Sequence, residues 1–198
     1  MPNEHGGGDF VSEWNAGILA HFEGNPTEVE RLTSDLIELT TRQNFAQFLA
    51  GGEVLRGWAR SASGDMAEGL AWIEDGIENW RANGSTLIVP YYLGLKAETL
   101  HLADRTSDAL EAITEAEAVI EKFENRYWCA ELHRLKGVFL TAMGADEAQI
   151  EASFRAAIKT AKEQRSISLE KRAEVTNAEY RRQKASASGG LGFRLPLG

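Results

Sequence analysis

Six side chains could carry chemistry in this sequence: Trp58, Tyr91, Glu98, His101, Glu131 and Arg134. Tyr91, Gly94, Glu98 and His101 follow helical spacing, and so do Glu131, Arg134, Val138 and Thr141. The two runs stand about forty residues apart, and Trp58 holds the matching place one run earlier. A guanidinium such as that of Arg134 can grip a carboxylate through two parallel hydrogen bonds. Trp58 and Tyr91 offer flat contact area with a polar tip. The stripe therefore reads as a solvent-facing binding groove, with Glu98 and Arg134 placed to hold opposite ends of a polar ligand. The bland alternative makes Trp58 a core residue, and has Arg134 bracing Glu131 or a neighbouring helix.

Catalytic, metal and cofactor motifs are missing. No Gly-x-x-x-x-Gly-Lys-Ser/Thr phosphate loop occurs, and no glycine-rich dinucleotide loop follows a strand. The four histidines, His5, His21, His101 and His133, never fall at metal-ligand spacing. Ser168-Leu169-Glu170-Lys171 matches a serine-acylase motif in form, but without its companion motifs Ser168 reads as local capping. His5-Gly6-Gly7-Gly8 echoes an oxyanion loop, yet no nucleophile elbow accompanies it. The expectation is no catalytic residue, no metal and no cofactor.

What must position the six residues is a repeat. Leu55-Arg56-Gly57 is followed by a turn at Gly64-Asp65 and then by Gly69, Ile73 and Gly76. Forty residues on, Leu95-Lys96-Ala97, Asp104, Ala109, Ile113 and Ala116 answer it. Leu135-Lys136-Gly137 and Gly144 come next, then, after one inserted residue, Ile150, Phe154 and Ala157. The same ruler laid backwards reaches Gly17 and Gly24. Small residues at these places let two helix backbones approach, and the large residue fills the space beside them.

This pattern predicts an all-α fold, a right-handed α-solenoid of antiparallel helix pairs with tetratricopeptide-like repeats of about forty residues. The units fall at about 9–44, 45–84, 85–125 and 126–165, with a capping helix at 167–184 closing the domain 9–184. Residues 1–8 and 185–198 read as disordered tails. Asn25-Pro26-Thr27-Glu28 is a helix start, with a cap, a proline at the first position and an acid near the positive end. Asp65 and Glu68 repeat it. Thr86 to Val89, the only β-leaning run, reads as an extended connector into a helix beginning at Tyr91.

Net charge is −9, and it is unevenly placed. From Phe154 onward 10 Lys+Arg against 4 Asp+Glu leave that end at +6 and the first 153 residues at −15. An acidic body argues against nucleic acid as a partner. No apolar run approaches membrane-spanning length, and the start lacks the regions of a signal peptide, so a cytoplasmic protein is expected. The single cysteine, Cys129, excludes an internal disulfide and reads as an inert buried thiol.

Arg56-Gly57-Trp58-Ala59 and Glu131-Leu132-His133-Arg134-Leu135-Lys136-Gly137 give the chain a more specific likeness. It resembles, from about Phe10 to the end, the C-terminal repeat region of bacterial adenylate/guanylate cyclases fused to an ATPase module. Pro90-Tyr91-Tyr92, Trp128 and the closing Gly192-Phe193-Arg194-Leu195-Pro196-Leu197 fit the comparison. Neither the cyclase catalytic domain nor the ATPase is present in these residues. The resemblance implies a signalling module that binds a protein or peptide, with a cyclase or ATPase component among the candidate partners. Its alternative form is a detached regulatory region of a cyclase. In neither form is it an enzyme.

Overall fold

A computed structural model describes residues 6–186 of the chain, with side chains from Phe10 onward. The described residues are all-α, with no strand among them. In order they form α1 (Gly6–Phe22), α2 (Pro26–Gln43), α3 (Ala46–Ala62), α4 (Met66–Ala82), α5 (Val89–Leu102), α6 (Thr106–Phe123), α7 (Cys129–Ala142), α8 (Glu147–Glu163) and α9 (Ile167–Ser186). Helix α1 begins inside the stretch expected to be an N-terminal tail, and α9 runs two residues past 184. Residues 1–5 and 187–198, the rest of both expected tails, lie outside the described residues.

The turns between helices repeat. Gly24, Gly64, Asp104 and Gly144 have positive φ, and so do Asn44, Gly84, Glu124 and Arg165. Together they punctuate the chain every twenty residues, with one residue of slip before Arg165. Around the first four, the hydrogen bonds are superimposable. The amides of Asn25, Asp65, Arg105 and Ala145 donate to the carbonyls of Ala20, Arg60, Leu100 and Leu140 at 2.9–3.0 Å. Each is a helix end closed by a left-handed residue, whose reversal returns the chain along the helix it has just left.

Helix starts are set by different means. Asn25 accepts from the Glu28 amide at 3.1 Å, and Asp65 from the Glu68 amide at 3.3 Å. The connector at Thr86 to Val89 is a turn rather than an extended run, and α5 begins at Val89 with Pro90 in its first turn. A proline there costs nothing, because its missing N–H would have had no helical acceptor.

Each helix packs on the next, and α1, α3, α5, α7 and α9 also pack each on the next odd-numbered one. The α3–α4 contact is the closest. A Cβ on Gly57 would stand 2.6 Å from the Gly69 carbonyl oxygen and 2.8 Å from Ile73. On Gly137 it would strike Phe154, and in the unit between, Ala97, Ala109, Ile113 and Ala116 are fully buried. Two hydroxyls that this packing takes out of water are satisfied within their own helices. Ser61 donates to the Gly57 carbonyl at 3.0 Å and Thr141 to that of Gly137 at 2.7 Å.

Candidate functional site

The odd-numbered helices turn one polar stripe toward each other, and five of the six expected groove residues meet there. Trp58 of α3 donates its indole N–H to Glu98 of α5 at 2.8 Å. His21 of α1 stands 3.3 Å from the same Glu98 oxygen, and its other ring nitrogen is 2.9 Å from the Tyr91 hydroxyl. Burial, with Glu98 next, pushes the Tyr91 phenol well above its ordinary pKa, so the hydroxyl keeps its proton. In α7, Arg134 grips Glu131 through two hydrogen bonds, at 3.0 and 2.6 Å, and reaches Thr176 of α9 at 3.4 Å. Arg172 of α9 donates to Glu131 at 3.2 Å and to the Phe22 carbonyl of α1 at 2.9 Å.

This stripe does not face solvent. Arg134 and Glu98 are each 1% exposed, and Trp58, Tyr91 and Glu131 are buried with them. The physical reason is closure. Arg172 joins the last described helix to the first across 150 residues of sequence, and the space between the odd-numbered helices is filled by the chain's own side chains. The space left beside His21, Tyr91, Glu98 and Glu131 is about 10 Å³, no more than one water could occupy. A Tyr–His–Glu chain could in principle relay a proton, but no substrate atom fits beside it. Two carboxylates, Glu98 and Glu131, face two guanidiniums, Arg134 and Arg172. Burial alone would raise the Glu131 pKa, yet the charges of Arg134 and Arg172 outweigh it and bring the carboxyl down to about 2. Burial opposes the charge of Arg134 too, and Glu131 outweighs it, holding the guanidinium pKa above its usual value.

His101 is not in the network. It lies half-buried at the α5–α6 turn, where Nδ1 is 2.9 Å from the Thr106 hydroxyl and the ring packs 5.0 Å from Phe139. Burial lowers its pKa. His21, Arg172 and Thr176 are the partners that the stripe by itself did not name. Arg172 could have been found by running the register one unit further. With the inserted residue counted, it stands where Glu131 and Tyr91 stand in the two preceding units. Cys129 is half-buried, and burial raises its thiol pKa, in keeping with an inert thiol.

A second site opens on the side where the odd-numbered helices begin. It is a cup of about 570 Å³ between α1 and the starts of α3, α5, α7 and α9. Trp14, Phe22, Phe48, Trp80, Tyr127 and Trp128 supply its aromatic surface. No charged side chain lines it, although 26% of the chain is Asp, Glu, Lys or Arg. Around it Leu19, Leu87 and Tyr127 are 63%, 67% and 70% exposed. The connectors that carry this rim are tied to one another, Asn125 Nδ2 donating to the Leu87 carbonyl and Gln164 Nε2 to that of Arg126. The cup and the buried network share a wall. Phe22 stacks on Trp128 at 6.3 Å, Trp128 packs 4.6 Å from Tyr91, and Arg172 lies over the Phe22 ring at 5.5 Å.

Over 155 residues, 77% of its length, the chain is 30% identical to an uncharacterized protein of Rhizobium meliloti (strain 1021). That stretch is only 15% of the relative, which is several times longer than this chain. No protein-family model matches the chain. No solved structure matches it.

Proposed function

We propose that the chain is a non-catalytic interaction module of tetratricopeptide-like repeats, which binds a protein or peptide in bacterial signalling or regulation. The repeat reading is supported by left-handed turns every twenty residues and by the packing of each odd-numbered helix on the next. The binding reading rests on one observation, the charge-free aromatic face with Leu19, Leu87 and Tyr127 standing out of it. Exposed apolar side chains around an aromatic recess are the composition of an interface centre rather than of an ordinary wet surface. The Glu98–Arg134 stripe is not available to a ligand in this arrangement, so the binding role moves from the inner side to the helix-start side.

No described helix is long and apolar enough to cross a membrane, which suits a module that acts in the cytoplasm. The acidic body speaks against nucleic acid as the partner. A second reading, a detached regulatory region of an adenylate/guanylate cyclase, is favoured by one fact: the matching stretch is a small part of a much longer relative. Capture from lysate by the immobilised chain, beside a Leu87→Asp/Tyr127→Asp variant, tests the first reading. A protein retained by the parent and lost by the variant is expected. Equal retention by both would remove this face from the binding role. The second reading further requires a cyclase or ATPase component among the proteins lost.

A further inference from the structure

Within that face the cup has walls of an unusual kind. Trp14 and Trp80 lie 5.9 Å apart with 13° between their planes, and Phe22 and Trp128 6.3 Å apart with 12°. Among the described ring contacts these are the two near-parallel pairs, and both line the cup. Its volume of about 570 Å³ falls in the range of small-molecule sites, roughly 300–1,000 Å³. We propose that this cup binds an uncharged, planar aromatic small molecule. The proposal goes beyond the docking of a partner protein and does not depend on it.

Charge sets the ligand class. A carboxylate, phosphate or ammonium in the cup would lose its water and meet no opposite charge, a cost that a neutral ring system escapes. The polar groups around it are uncharged: Asn15, Gln47, Ser85, Ser166 and Ser168.

The walls are held before any ligand arrives. The Trp14 N–H donates to the Tyr92 hydroxyl at 3.0 Å, and Tyr92 packs edge-on against Trp80. Trp128 rests on Tyr91, and Phe22 is pinned between Trp128 and Arg172. Little side-chain freedom then remains to be lost on binding.

The test uses two naphthalene dyes, prodan, which is neutral and carries one ketone oxygen, and ANS, which is anionic. Prodan should bind saturably at one per chain, with a blue-shifted emission and quenching of tryptophan fluorescence. ANS should bind at least about tenfold more weakly, for want of a counter-charge. Leu19→Glu places a carboxylate at an exposed wall position, and Ser85→Trp fills the cup from its rim. Each should weaken prodan binding about tenfold, while circular dichroism and thermal melting stay as in the parent. Absence of saturable prodan binding overturns the proposal, and so does binding that neither substitution changes, or ANS binding as tight as prodan. If Tyr127→Asp abolishes partner capture but prodan does not bind, the face docks protein only and the small-molecule site is wrong. Prodan binding without any captured partner would support the site and sink the docking reading instead.

Discussion

Arg134 holds Glu131 by two hydrogen bonds, Nε to Oε2 at 3.0 Å and Nη2 to Oε1 at 2.6 Å, with both side chains buried. The pair is a brace between α7 and its neighbours rather than half of an open groove. Breaking a buried pair typically costs about 3–5 kcal/mol, but Glu131 keeps Arg172 at 3.2 Å when Arg134 is removed. Arg134→Ala should therefore lower stability by an amount toward the lower end of that range in urea denaturation. An exposed arginine would shift it by no more than about 0.5 kcal/mol, and a value that small would place Arg134 in solvent. The Arg134→Met/Glu131→Met double variant should recover part of the loss, because it removes both charges together.

The same carboxylate makes stability depend on acid. Its pKa is brought from an ordinary 4.5 to about 2 in the folded protein by Arg134 and Arg172, against the effect of burial. A group depressed in this way binds its proton more readily in the unfolded chain. Its contribution is present above about pH 4.5 and is lost as the pH falls toward 2. Melting temperature should drop through that window. The Glu131→Gln variant, less stable at pH 7, should show a shallower drop. Parallel curves would mean that surface carboxylates alone set the acid limb.

Much of the architecture was legible because small residues recur for a steric reason. Gly57, Gly69 and Gly137 leave no room for a Cβ, and Ala97 and Ala109, forty residues after the first two, are fully buried. The polar stripe was legible as well, since Trp58, Tyr91, Glu98, Glu131 and Arg134 do converge. Its burial was not. Helical spacing tells which residues share a face, but how tightly successive pairs curl depends on a side chain 150 residues away, and Arg172 looks like one more charge on the last helix. The cup was missed for a related reason. Trp14, Trp80 and Trp128 lie far apart in the sequence, and only the assembled helices set them around one opening.

Packing along the register can be tested at Ala116, which is fully buried in α6. Ala116→Leu adds three carbons where the neighbouring helix leaves no space, an overpacking that usually costs about 1–3 kcal/mol. Chemical denaturation should show the midpoint falling with little change in slope. An unchanged midpoint would mean that α6 turns a different face inward.

The last prediction concerns two turns that hold the same place in successive units. Gly84 has φ of +79° and Glu124, forty residues on, +53°. A Cβ at Gly84 would meet nothing within 4 Å, so any effect of a side chain there is conformational rather than steric crowding by neighbours. For residues with a Cβ the left-handed region costs about 1–2 kcal/mol, which glycine escapes, less the extra freedom glycine loses on folding. Glu124→Gly should thus stabilise the protein by about 0.5–1 kcal/mol, and Gly84→Glu should destabilise it by a similar amount. The Asn125–Leu87 hydrogen bond joins the two connectors, so the departure of the double swap from the sum of the single changes measures how far the turns couple. Thermal melts of the three variants decide the matter. If Glu124→Gly lowers stability, the glutamate makes contacts that outweigh its backbone strain, and the two turns are not interchangeable parts of one repeat.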